Sequence, residues 1–227
     1  MSHYAVAVFS LDGDFDKLLA PYLVSNPKEQ VFFSISYDQI EQDFKKFKQQ
    51  NKSWTIDQYI EMNKYFDTNG QWGYMKNPHG YFDYYTLDGQ DYMFELKEGV
   101  LELPDGAWDY CKNDYEWYPD MKDEADDARE FWDDFIGETA LASPPGIWNK
   151  KYYLERYKTR AQYIKEMSRM VPYAFVLPDG GWHAPGKVGS FGTSNEDADA
   201  WNKYVNEWDE YLSRDDNPYV NLVDCHI

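Results

Sequence analysis

Two apolar runs lie at the ends of the chain: HYAVAVFSL at positions 3–11 and YVNLVDCHI at 219–227. Each is rich in Val, Leu and aromatic residues and is bounded by turn formers, Asp12-Gly13-Asp14 after the first and Asp216-Asn217-Pro218 before the second, so each reads as a strand. A strand that reaches the final residue belongs in a sheet, because a loose tail gains little from Leu, Val and Ile. The expected fold is therefore built on a sheet that takes in both ends of the chain.

Composition decides whether such a sheet can be buried. The chain has 227 residues, enough for one large domain or two small ones. Its 41 acidic and 22 basic residues give a net charge of −19, a balance often found in disordered segments. Its 21 Tyr, 13 Phe and 9 Trp supply the buried area that disordered acidic segments lack. The same charge repels phosphate backbones and anionic lipid, so direct nucleic-acid or membrane binding is not expected. No run of 18 apolar residues is present to span a bilayer. Two cysteines, Cys111 and Cys225, and an opening MSHYAVAVFSLDGDFD without a basic-then-apolar leader point to a cytoplasmic protein with reduced thiols.

Between the terminal strands, VFFSIS (31–36) reads as a strand or an extended lead into a helix. Ser36 and Thr55, each with Gln three residues on, open two amphipathic helices that could form a small lobe over 37–66. YFDYYTL (81–87) and YMFEL (92–96) are the expected hairpin around Asp88-Gly89. DEADDAREFWDDFI (123–136) is a helix with Ala125, Ala128, Trp132 and Phe135 inward and acid outward. In 149–170, Lys151, Lys158, Lys165 and Arg169 fall within about 40° of one another on a single helix, giving a cationic ridge. YAFVL (173–177) is a strand, and a helix capped by Ser194 carries Trp201, Val205, Trp208 and Leu212 inward. LPDGAWDY from Leu103 and LPDGGWHA from Leu177 read as two similar hairpin turns rather than a duplication, since their surroundings differ. The expected class is α+β: a single domain over 1–227, with a mostly antiparallel sheet and peripheral amphipathic helices.

The common nucleotide-binding and hydrolase signatures are absent. Of the four histidines, His226 stands two residues from Asp224, on the same face of a strand, and His183 precedes Ala-Pro-Gly-Lys187. Asp224, His226 and His183 are the candidates for acid–base work. Metal-ligand spacing is otherwise missing, and neither a metal nor a cofactor is expected. Alternation places Tyr81, Asp83 and Tyr85 on one strand face, where phenols flanking a carboxylate could stack a flat ring and bond its edge. Trp182 and His183 open a Gly-rich stretch ahead of a helix, whose backbone N–H groups and Lys187 could meet a phosphate.

NPHGYFDYYTLDGQ (77–90), VPYAFVLPDGGWHAPGKVGSFG (171–192) and VDCHI (223–227) resemble, in the same order, segments of a widespread family of uncharacterised bacteriophage proteins. Members of that family carry NP-x-x-K-W-D-W-Y-x-I-G-G-R-W, PDG-x-W-H…G-K-x-G-W-x-G and a closing VDCHI. Asn77, Pro78, Asp83, Tyr85 and Gly89 agree, whereas Tyr81 stands at the family's lysine and Gln90 at its arginine. The resemblance implies a phage accessory protein acting in the cytoplasm of an infected bacterium, a class that often counters host defence.

Three function classes follow. The first is a protein, not an enzyme, that sequesters a small nucleotide-like ligand through Tyr81, Asp83, Tyr85, Trp182, His183 and Lys187. The second is an acidic inhibitor or DNA mimic of a basic host protein: 105–138 holds 13 acidic and 3 basic residues, with Asp126, Asp127, Asp133 and Asp134 as its contact carboxylates. The third is a hydrolase of a nucleotide signal using His226 and Asp224, with His183 as a further candidate.

Overall fold

The structure, a computed structural model, describes residues 3–87, 93–101, 110–118, 121–146, 149–188 and 196–227. The first LPDGxW turn, Asp88-Gly89 and Ser194 lie outside the described residues. The fold is α+β with mostly antiparallel sheets. The chain divides into two compact units, Met1–Leu19 with Tyr84–Ile227, and Ala20–Asp83.

The first unit begins with β1 (His3–Ser10) and the short helix α1 (Phe15–Leu19). The second unit then contributes β2 (Val31–Ser34), α2 (Tyr37–Lys48), α3 (Ile56–Met62), β3 (Phe66–Thr68) and β4 (Gln71–Lys76). Ser36 accepts from the Gln39 amide, and Thr55 forms a reciprocal capping box with Gln58, as the sequence pattern requires. This unit is more than the expected helix pair, because β2, β4 and β3 form a sheet of their own. Gly73 in β4 is dictated by that sheet, since a Cβ there would collide with the Phe32 ring and the Phe33 carbonyl.

The chain re-enters the first unit with β5 (Tyr84–Thr86), β6 (Glu95–Leu96) and β7 (Tyr115–Glu116). The anticipated pairing of 81–87 with 92–96 is not found among the described residues. β5 pairs antiparallel with the C-terminal strand, and β6 pairs with β7. Phe82 forms an isolated bridge with Leu23 within the second unit, so the strand starts only at Tyr84.

Next come α4 (Lys122–Phe131), a π-helical turn over Trp132–Ile136, α5 (Lys150–Arg156) and α6 (Arg160–Met167). Ala128, Trp132, Ile136, Tyr157 and Tyr163 make one apolar cluster between them. The single helix expected over 149–170 is two. Tyr157 is extended (φ −113°, ψ 101°), and Thr159 caps α6 by accepting from the Gln162 amide. The local Thr-x-x-Gln cap thus overrides the longer periodicity.

The unit closes with β8 (Ala174–Val176), β9 (Trp182–His183), α7 (Ala198–Leu212) and β10 (Tyr219–His226). Asp197 caps α7 through the Ala200 amide at 2.8 Å. β8 and β9 are joined by Pro178-Asp179-Gly180, with Gly180 at φ +87°, so the second LPDGxW segment is a tight hairpin turn. The five-stranded sheet runs β5-β10-β1-β8-β9. β1 and β10 pair antiparallel along their whole length, from His3 opposite His226 to Ser10 opposite Tyr219, and β8 joins β1 in parallel. Alternation sends Ala7, Phe9, Phe175, Val220 and Leu222 to one face, where Tyr204, Val205, Trp208 and Tyr211 of α7 cover them. Removing the fully buried Trp208 ring from this cluster would cost about 3–5 kcal/mol.

Candidate functional site

The α7-covered face of the sheet continues toward the end of the β1–β10 ladder, and there its apolar residues give way to His3, Asp224 and His226. Residues directly opposite in an antiparallel pair share a face, as do residues two apart in one strand. The register His3↔His226, Ala5↔Asp224 and His226↔Tyr84 therefore gathers His3, Asp224, His226 and Tyr84 on one side.

Their contacts are close. His3 Nδ1 lies 2.9 Å from Asp224 Oδ2, and His226 Nε2 lies 3.2 Å from the same oxygen. The two imidazoles meet edge to face with centroids 4.0 Å apart, while the Tyr84 ring stacks on His226 at 4.1 Å and 14°. Burial is graded across the group: the side chains of His226, Asp224 and His3 are 9%, 14% and 54% exposed. Asp224 Oδ1 and His226 Nδ1 are buried without a hydrogen-bond partner among the described residues. Such an arrangement can orient an imidazole, pass a proton to solvent through His3, and accept a further polar group.

The other expected residues are distributed elsewhere. His183 sits in β9, stacked on Phe175 at 4.7 Å, with its Nδ1 3.1 Å from Glu207 Oε2 of α7. Trp182 is half-buried beside it, and Lys187 is exposed. Tyr85 faces away from Tyr84 along β5 and donates to Asp16, with burial and that carboxylate pushing its phenol pKa well up. Tyr81 and Asp83 belong to the second unit, where the Tyr81 amide donates to the Tyr22 carbonyl at 2.8 Å. Tyr81, Asp83 and Tyr85 thus do not share one strand face.

Several of the charged residues singled out above are paired within the molecule. Asp133 takes two bonds from Arg160, at 2.8 and 2.6 Å, and that guanidinium holds the carboxyl below its ordinary pKa. Asp126 pairs with Arg129, whereas Asp127 and Asp134 are exposed. Most cationic residues of 150–169 are similarly engaged: Lys151 with Glu155, Arg156 with Glu196, Lys158 with Asp199 and Arg169 with Asp209, though among the described residues no such ion pair holds Lys165. With the helix broken at Tyr157, they form no continuous ridge.

Sequence reasoning paired Asp224 with His226 and missed His3 and Tyr84. The signal for both was the register of the terminal strands. No family model matches this chain, and no curated protein or solved structure matches it.

Proposed function

We propose that the protein is a small hydrolase acting on a nucleotide-like substrate, with His3, Asp224 and His226 as its working centre. One observation carries this reading: two imidazoles from opposite ends of the chain converge on a single carboxylate oxygen at the end of the β1–β10 ladder. Asp224 orients His226, and the half-exposed His3 exchanges protons with water, which divides acid and base roles between two rings. Tyr84 is 45% exposed, and its ring beside His226 offers a surface for a flat base. The likeness of 77–90, 171–192 and 223–227 to phage proteins supplies a setting in which the substrate is a signalling nucleotide of host defence.

The acidic-mimic reading is weaker on these contacts, since two of its four named carboxylates are bonded within the chain. Sequestration without turnover would need a cationic pocket, and the ion pairs of 150–169 leave little charge for one.

The test is turnover of cyclic dinucleotides and ADP-ribose isomers by purified protein. Cleavage of at least one, reduced about 10²–10⁴-fold in Asp224→Asn, is the expected result. Tight binding without cleavage would replace hydrolysis by sequestration, and neither binding nor cleavage of any would overturn the reading.

A further inference from the structure

Hydrogen bonding alone accounts poorly for the His3–Asp224–His226 cluster. A carboxylate with two imidazole neighbours can offer one oxygen to each. Here both rings crowd Oδ2, while Oδ1 and the Nδ1 atom of His226, itself more than nine-tenths buried, have no partner among the described residues. Three atoms of ligand type, His3 Nδ1, Asp224 Oδ2 and His226 Nε2, are crowded together instead.

The spacing of these three atoms is that of ligands around one metal ion. Zinc binds histidine nitrogen and carboxylate oxygen at about 2.0–2.2 Å, so ligand atoms around it stand about 2.9 Å apart at right angles and about 3.3 Å apart at the tetrahedral angle. The two distances to Asp224 Oδ2 are 2.9 and 3.2 Å, and one ligand atom from each residue lies within 4.8 Å of the others. Two imidazoles and a carboxylate are also a donor set that first-row divalent ions favour.

We propose that His3, Asp224 and His226 bind one divalent transition-metal ion, zinc being the ion suited to hydrolysis, with its open coordination positions on the His3 side. This rests on the hydrolytic reading and replaces the acid and base roles of the two rings by ligation: an ion held there would supply local positive charge in a chain of net charge −19 and a bound water of lowered pKa. Sequence spacing alone gives no such ligand set, because it offers only two of the three residues. The exposure gradient matches a catalytic rather than a closed structural site, with two ligands sunk in the sheet and the third facing solvent.

The experiment is calorimetric titration of tag-free, chelator-stripped protein with Zn2+ alone, repeated with Co2+ to read ligand geometry from its visible spectrum. Wild type is expected to bind one equivalent. Asp224→Asn and His226→Gln should weaken binding by more than about 100-fold, beyond the ~10–100-fold lost when only a supporting hydrogen-bond partner is removed. His3→Gln, at an exposed position, should weaken it as well, with an unchanged melting temperature in chelator that rules out misfolding. No stoichiometric binding, or binding equal in all three variants, overturns the proposal. If turnover persists in protein shown to be metal-free, the metal site falls and the hydrolytic centre stands. If zinc binds through these residues and no nucleotide is cleaved, the site stands and the hydrolytic reading falls.

Discussion

His3 and His226 face one another directly across the ladder of the first and last strands, with ring centroids 4.0 Å apart. The pairing of β1 with β10 is thus what assembles the centre, and the same ladder carries the apolar residues that α7 buries farther along. Core and site are two stretches of one sheet face.

On the proposed reading, Tyr84, stacked on His226 and 45% exposed, is the ring that would hold a flat substrate. Tyr84→Ala should raise KM about 10-fold or more, since stacking on an aromatic ring contributes about 1–3 kcal/mol, and should change kcat less. Tyr84→Phe should stay near wild type. Steady-state kinetics on the cleaved nucleotide checks this, and an unchanged KM in Tyr84→Ala would remove the residue from the binding surface.

Lys112 is a buried cation with a structural task. Its side chain is 1% exposed, and its Nζ donates to the Arg214 carbonyl and Asp216 at 2.7 Å each. Lys112→Ala should destabilise the protein by about 3–5 kcal/mol, because it strips partners from the segment leading into β10. Urea unfolding reads the loss, and a change below about 1 kcal/mol would show the contacts to be dispensable.

Cys225 lies on the opposite face of β10 from the centre, fully buried, and burial pushes its thiol pKa far up. Only the thiolate reacts, so iodoacetamide at pH 8 should leave Cys225 unlabelled in the native protein and modify it once the protein is denatured. Peptide mass spectrometry reports the site. Native labelling at Cys225 would mean that the β5–β10 edge opens readily.

Glu166 in α6 has its carboxyl pKa raised by burial above the ordinary 4.5, against lowering by the Gln162 hydrogen bond, Arg156 and Lys165. A folded value above the unfolded one means that its contribution is fully present below about pH 4.5 and is lost as pH rises through the folded value. Glu166→Gln should therefore raise the melting temperature at pH 7 and leave it unchanged near pH 4. Equal effects at both values would assign the change to packing instead.

Much of the architecture could be read from local patterns. The terminal strands, the Ser36 and Thr55 caps and the inward Val205 and Trp208 depend on residues at most a few turns apart, where periodicity is informative. The break after Arg156 was also visible, as Thr159 and Gln162, but a regular charge spacing across it suggested continuity. Pairing between distant segments was not visible. Tyr81, Asp83 and Tyr85 alternate as a strand would, yet Phe82 bridges Leu23 and only 84–86 joins β10. His3 is 221 residues from Asp224, and nothing local marks it as a partner. It becomes one only when β1 and β10 are laid antiparallel in the register that matches their apolar faces.

The most direct measurement of the central claim is an anomalous difference map at the zinc edge, from crystals of chelator-stripped protein exposed to Zn2+. The account predicts a peak about 2.0–2.2 Å from one nitrogen each of His3 and His226 and from Asp224 Oδ2. Zinc peaks found elsewhere, with none among these three side chains, would contradict it.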